Sequence, residues 1–312
     1  MSEAAGDRGT LRLGSRVLVW GTRTFVMGVL NVTPDSFSGD GVANDADALQ
    51  ARIDSLLEAA PDVIDVGGES TRPGGTAVPA EQEIDRIGPA LVALRGRAPE
   101  MPLSVDTRKA AVARAALDLG AVMVNDVTGG THDPEILEAA ASAGAAFVVT
   151  HNRRGAVRRS EIGPHVAAVA YDDLVRDVYR DGERLLERAQ VAGIARDRLL
   201  FDPGFGFGKS PEQNVDLLRE MGALKALGAP LMVGVSRKSF VGYVLELPAD
   251  QRLEGSLAAA VIAVANGADM VRAHDVEATK RALAMADAIY RPGASPAGGR
   301  RDAGFPTLET SA

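Results

Sequence analysis

The sequence predicts an α/β protein: a single-domain (β/α)8 barrel with a short N-terminal β-hairpin ahead of it and a disordered C-terminal tail behind. Three observations predict this fold. Eight short apolar runs alternate with eight segments of helical period along the 312 residues, the pattern of successive parallel βα units. The runs are apolar at neighbouring positions rather than at every second one, as in strands covered on both faces. Eight such units in about 265 residues match a closed barrel better than an open doubly wound sheet.

In chain order, residues 1–22 form an extension and a hairpin. Within it LRLGSRVLVW (11–20) alternates polar and apolar residues and is suited to plug the bottom of the barrel. The barrel spans 23–291. Its strand runs are 25–30, 63–66, 103–105, 122–125, 146–150, 199–201, 231–233 and 270–272. The helical segments between them are 45–59, 80–95, 109–119, 133–143, 168–192, 212–227, 252–267 and 275–290. The tail 292–312, PGASPAGGRRDAGFPTLETSA, is rich in Pro, Gly and Ser and is expected to be disordered. Between the fifth and sixth strands HNRRGAVRRSE reads as a mobile basic loop.

A formal net charge of −8 argues against a nucleic-acid partner. The absence of Cys excludes disulfides, thiolate nucleophiles and Cys-ligated zinc. No uninterrupted apolar run approaches the ~18 residues of a membrane span, and MSEAAGDRGT has no apolar signal region, so the expected location is cytoplasmic. Four scattered His in no HxxH or HExxH pattern argue against catalytic zinc.

DPGFGFGKS (202–210) imitates a phosphate-binding P-loop, ending in Gly-Lys-Ser after an apolar run. The position that must be Gly, five before the Gly-Lys pair, is Pro203, which has no N–H for a phosphate. Lys209 then has no phosphate duty and is expected at the start of the sixth helix.

The carboxyl ends of all eight strands in a barrel converge on one face, where chemistry is found. They carry Asn31, Gly68 to Arg72, Asp106, Asn125 with Asp126, Thr150 to Asn152, Asp202, Ser236 to Ser239, and Arg272 with His274. Singly each has an ordinary explanation, such as a helix cap for Asp106 or Asp202. Together on one rim they favour a polar small-molecule pocket. Asp106, Asn125 and Asp202 suit a flat heterocycle edged with N–H and C=O groups, Asp202 pairing with an adjacent N–H and NH2. Lys238, Arg272 and His274, with Arg72 nearby, form a separate cationic group suited to a diphosphate. A Mg2+ ion would bridge diphosphate oxygens, with the carbonyl of Asn31 as one ligand.

MGVLNVTPDSFS (27–38), GGESTRPG (67–74), SVDT (104–107), NDV (125–127), DPGFGFGK (202–209), SRKS (236–239) and RAHD (272–275) closely resemble the dihydropteroate synthase family. The resemblance covers about residues 25–290 in the family's order and is carried most specifically by LNVTPDSF and GGESTRPG. It implies a TIM barrel, a homodimer, and a place in folate biosynthesis. The implied reaction joins (7,8-dihydropterin-6-yl)methyl diphosphate to 4-aminobenzoate and releases diphosphate, with Mg2+ as cofactor and sulfonamides as competitors. By position it implies that Asp106, Asn125, Asp202 and Lys238 hold the pterin. Asn31, Thr71, Arg272 and His274 would hold the diphosphate and its metal, and Phe37, Pro73, Phe207 and Ser239 the aminobenzoate. Lys238, Arg272, His274 and Asp40 are the implied catalytic set, with Arg72 also on the substrate. Loops 33–41 and 70–76 are candidate lids over a cationic intermediate. The chain departs from the family in SFSGDG, which moves the acid to Asp40, in Thr150 where the family has Met, and in the basic loop 153–159. Two rival readings remain at this level, a pterin-dependent methyltransferase and a catalytically silent paralogue.

Overall fold

In the computed structural model, the residues described are 9–33, 46–70, 78–153 and 169–291. The first elements are the antiparallel strands β1 (Thr10–Leu13) and β2 (Arg16–Val19), paired Thr10 to Val19. The remainder alternates strand and helix. In order come β3 (Phe25–Asn31), α1 (Ala46–Ala59), β4 (Val63–Gly67), α2 (Ala80–Arg97), β5 (Leu103–Asp106), α3 (Ala110–Asp118), β6 (Met123–Asp126) and α4 (Glu135–Ser142). Then follow β7 (Ala146–Thr150), α5 (Leu174–Val191), β8 (Leu199–Asp202), α6 (Pro211–Glu220), β9 (Met232–Val233), α7 (Ser239–Leu245), α8 (Leu253–Ala265), β10 (Met270–Ala273) and α9 (Val276–Tyr290).

Eight parallel strands run in the order β8-β7-β6-β5-β4-β3-β10-β9. The ring closes between β8 and β9 through a parallel bridge from Phe201 to Leu231, with Phe201 N donating to Pro230 O at 2.9 Å. This is the barrel that the alternating runs predict. Two details differ from the sequence reading. The segment 212–227 is one α-helix followed by a 3-10 turn over Met221–Leu227. The short helix α7 lies outside the helical segments that the sequence predicts, between the seventh strand and the segment 252–267. Its seven residues are too few to show a helical period.

Strand residues alternate between the helical layer and the lumen. The outward set packs on the helices as one large core; Ile64, Val66, Val105, Val124, Phe147, Val149 and Phe201 all belong to it. The inward set forms a second, smaller core at the barrel bottom. It joins Phe25, Met27, Val63, Met123, Val148, Leu200, Met232 and Met270 to Leu11, Leu13, Leu18 and Trp20 of the hairpin. The hairpin is therefore the bottom plug that its alternation predicts. Climbing the lumen by twos, apolar residues give way to polar ones: Val63 to Asp65, Met123 to Asn125, Leu200 to Asp202, Met270 to Arg272. The apolar floor sets the depth of the polar layer above it. Among the described residues no helix is long and apolar enough to cross a membrane.

Candidate active site

The polar layer is held in register by the sheet. Asn31 pairs with Gly67, Gly67 with Asp106, and Asp106 with Asn125 on adjacent strands. A Cβ on Gly67 would sit 3.8 Å from both Asn31 Oδ1 and Asp106 Oδ2, so glycine there leaves a cradle between an amide oxygen and a carboxylate.

Arg272 crosses this layer. Its Nη2 donates to Asp106 Oδ2 at 2.7 Å and its Nε to Asp65 Oδ2 at 2.6 Å. Asp65 Oδ2 also accepts from Asn125 Nδ2 at 2.9 Å. Asp65 is fully buried, and among the described residues its Oδ1 and that of Asp106 meet no hydrogen-bond partner. A buried acceptor without a partner is costly, so these oxygens suit a bound ring or ordered water. Burial raises the Asp106 carboxyl above its ordinary range; Arg272 opposes the rise and Asp65 adds to it. Burial likewise raises Asp202, while Lys238 and a backbone bond from Gly204 hold it back.

Two corrections follow. Arg272 does not stand apart with Lys238 and His274 as a separate cationic group: two of its five N–H donors bind the acids of the ring-reading set. Asp65 is absent from the predicted set because it lies inside its strand and not at the strand end. A signal was present, since in the apolar run VIDVG the inward parity of Val63 and Gly67 places a carboxylate inside the barrel.

The loop after β8 supplies the next wall. Asp202 Oδ1 accepts from Gly204 N at 2.7 Å, and Gly206 N donates to Asn214 Oδ1 at 2.6 Å. Gly204 has φ +72°, and a Cβ on it would lie 1.8 Å from His151 O. Only glycine allows this approach to the end of β7. Phe207 is buried, and Lys238 Nζ lies 4.3 Å from its ring centroid while donating to Phe205 O at 2.6 Å. The Lys238 ammonium thus seats on an aromatic face, beside Asp202.

Lys209 is not at the start of a helix. Ser210 caps α6 through Gln213 N, with the reciprocal bond of a capping box. Lys209 itself is buried, its Nζ 2.9 Å from His151 Nδ1, 3.0 Å from Gly204 O and 3.4 Å from Phe207 O.

Next to the loop after β8, Arg237 of the β9–α7 connection adopts φ +56°, unusual for a residue other than glycine. A bidentate pair with Asp275 at 2.6 and 3.0 Å holds it there, and His274 Nδ1 lies 3.1 Å from Ser236 Oγ. This fixes Lys238, Ser239 at the first turn of α7, and His274 around one rim. Ser239 is exposed, and Asn31 and His274 are half-buried. At the second loop, Lys109 bridges Glu69 and the fully buried Glu83, and Arg108 bonds Glu69 at 2.9 Å. Phe37, Asp40, Thr71, Arg72 and Pro73 lie outside the described residues, as do most of both candidate lids, the basic loop beyond Arg153 and the tail. Of the remaining predicted residues, Asp106, Asn125, Asp202, Lys238, Phe207 and Arg272 converge on the mouth, with Asn31, Ser239 and His274 at its edge.

Comparison with known proteins agrees with this geometry. A family model described as pterin binding enzyme matches residues 27–274. A dihydropteroate synthase of Synechocystis sp. is 40% identical over 282 residues, covering 90% of this chain and 95% of that protein. The structure of the Yersinia pestis dihydropteroate synthase with a sulfonamide drug complex superposes with TM-score 0.82 at 41% identity, covering 90% of this chain and 98% of that one. That of the Xanthomonas albilineans dihydropteroate synthase with 4-aminobenzoic acid gives TM-score 0.80 at 40% identity, with 90% and 98% covered. The chain belongs to the dihydropteroate synthases, transferases of the pterin-binding enzyme family.

Proposed function

We propose that the chain joins (7,8-dihydropterin-6-yl)methyl diphosphate to 4-aminobenzoate, giving 7,8-dihydropteroate and diphosphate for folate biosynthesis. The observation that carries this reading is the buried acid–amide–guanidinium layer of Asp65, Asp106, Asn125, Asp202 and Arg272 over an apolar floor. Such a layer offers acceptors and donors to the edge of a flat, N–H-rich ring. The exposed edge then differs in chemistry: Lys238, Ser239 and His274 face the groups the ring carries outward.

In the reaction the bond from the pterin methylene carbon to the diphosphate oxygen breaks, and the pair of electrons leaves with diphosphate. The ring delocalises the resulting cation, the aromatic amine attacks it, and the amine loses a proton. Asp106 and Asp202 orient the ring and sit where positive charge spreads. Lys238, Arg272 and His274 stabilise the departing anion by preorganised charge. Phe207 and Ser239 border the amine's side. Thr71, Arg72, Pro73 and Phe37 complete these contacts in the family's pattern, and Asp40 serves as the first loop's acid.

Mg2+ would be held mainly by diphosphate oxygens, with the side-chain oxygen of Asn31, beside the space left by Gly67, as a hard protein donor; it would neutralise charge on the diphosphate. An ion carried chiefly by diphosphate needs few protein ligands. We also assign a homodimer, supported by the apolar side chains exposed on α7 to α9: Tyr243, Val244, Ile262, Met285 and Ile289. A concentration-dependent sedimentation profile tests the dimer, and a monomer at all concentrations would overturn it.

The deciding experiment is diphosphate release from the pterin substrate with and without 4-aminobenzoate. Release that requires the amine and yields dihydropteroate is expected. Retained pterin binding with no condensation would favour the silent paralogue.

A further inference from the structure

Beside the loop after β8 lies a chain of polar groups, buried at its centre, that the reaction does not use. Asp181 of α5 accepts from His151 Nε2 at 3.1 Å and from Arg153 Nε at 2.7 Å. His151 Nδ1 faces Lys209 Nζ at 2.9 Å, and Lys209 in turn meets the carbonyls of Gly204 and Phe207. Lys209 and His151 are almost fully buried.

The protons on this chain are fixed by its ends. Asp181 is a carboxylate, its pKa lowered chiefly by the bond from His151. It therefore takes the Nε2 proton, which leaves Nδ1 as an acceptor. Burial lowers His151 to about 4, so the ring is neutral at physiological pH and consistent with that tautomer. Nζ then has three acceptors around it, matching the three protons of an ammonium. Two of the three belong to the glycine loop that carries Asp202 and Phe207.

From this geometry we infer that Lys209 is a positioning residue: its ammonium, oriented by the Asp181–His151 pair, staples the loop 204–208 so that Asp202 and Phe207 face the pocket. The assignment rests on the proposed reaction. It also explains why the loop imitates a phosphate cradle without being one. In a phosphate loop the lysine points outward to the ligand, whereas here its donors turn inward to the loop's own carbonyls.

The staple is sensitive to pH. Burial lowers Lys209 to about 7, with Asp202 opposing the shift. Among the described residues, Asp202 from β8 and Asp181 from α5 favour the ammonium, and Lys238 from the β9–α7 connection and Arg153 beyond β7 disfavour it. Opening the loop would return Lys209 to its ordinary range, so above about 7 the open form holds a proton that the stapled form has released, and the stapled form gains as pH rises through this window.

The test compares Lys209→Met with wild-type enzyme across pH. The readouts are KM for 4-aminobenzoate, Kd for the pterin diphosphate by calorimetry, and kcat at saturation. Losing one or two buried bonds predicts a rise in KM and Kd of about tenfold or more, with kcat changed by less than about threefold. The wild-type fall in KM as pH rises above neutral should be absent from the variant, a change that mere destabilisation would not produce. Unchanged binding, or a fall in kcat with KM unaltered, overturns the assignment. If Lys209→Met does not fold, Asp181→Asn breaks the outer end of the chain, and its KM and pH profile must move in the same direction; an unaltered profile there also overturns it. Wild type in the same assay separates the two claims. A wild type that forms no dihydropteroate sinks the proposed reaction, whereas an active wild type with indifferent variants sinks only the staple.

Discussion

Replacing Asp65 by Asn tests whether the buried layer works as a unit. Asp65 is 0% exposed and accepts from both Arg272 Nε and Asn125 Nδ2. The amide keeps the shape and one acceptor oxygen but removes the charge. Arg272 then retains a single carboxylate partner, Asp106, in place of two. Losing a buried charge-assisted bond costs about 2–4 kcal/mol, less than the full penalty of stripping an ion of its only partner. If the loss falls on the bound transition state, kcat/KM drops by roughly 30- to 1000-fold. A second signature has a definite sign. Asp65 is one of the charges that raise Asp106, so its removal lowers the Asp106 pKa. Any acid limb of pterin binding that requires ionised Asp106 must shift to lower pH. The assay is calorimetric titration of the pterin diphosphate across pH, alongside steady-state turnover and a thermal melt. Unchanged affinity together with an unshifted pH profile would refute the reasoning, because it would mean that neither Arg272 nor Asp106 senses Asp65 during binding.

Other perturbations read separate parts of the site. Sulfonamides should compete with 4-aminobenzoate, a contest visible as inhibition that vanishes at high aminobenzoate; inhibition insensitive to its concentration would count against the pocket around Phe207 and Ser239. Asn31→Ala should raise the Mg2+ concentration needed for half-maximal rate by about tenfold, the usual cost of losing one ligand-side contact, and activity that survives excess chelator would remove the metal from the scheme. Gly204→Ala must move the loop, since its Cβ would lie 1.8 Å from His151 O at φ +72°; loss of pterin binding is expected, with a stability loss of at least about 1–2 kcal/mol from the left-handed backbone alone, and a wild-type titration would show that the loop has an alternative path.

The barrel was legible because its signals are long and repeated. Eight doubly covered strands leave apolar runs that nothing else in the chain imitates, and the hairpin's alternation marked its buried Leu11, Leu13 and Leu18. The strand-end residues were legible as a set, for a rim must be polar where it meets a ligand. What escaped was depth and partnership. Asp65 lies inside a run that reads as core, and α7 is too short to show a period. The pairing of Arg272 with Asp65, 207 positions away, depends on ring closure and strand stagger, which composition does not encode. The same holds for Lys209, whose neighbours in sequence predict a helix start, while its buried contacts come from β7 and from the loop behind it.

DPGFGFGKS shows how far local pattern reaches. Gly-Lys-Ser after an apolar strand supplies what a phosphate loop needs: backbone freedom, a cation, and a capped helix to follow. Pro203 removes a required N–H, and the strand before it ends in Asp202, an acid that a phosphate would avoid. The structure resolves the conflict with a reversal of direction. Gly204 brings the backbone against His151 O, and Lys209 turns toward Gly204 O and Phe207 O. Asp202, held at one oxygen by Gly204 N, becomes the group at the mouth. An acid there excludes a bare phosphate by repulsion and admits a ring that offers N–H donors, so the specificity of the loop is set by the charge it presents and not by the motif it resembles.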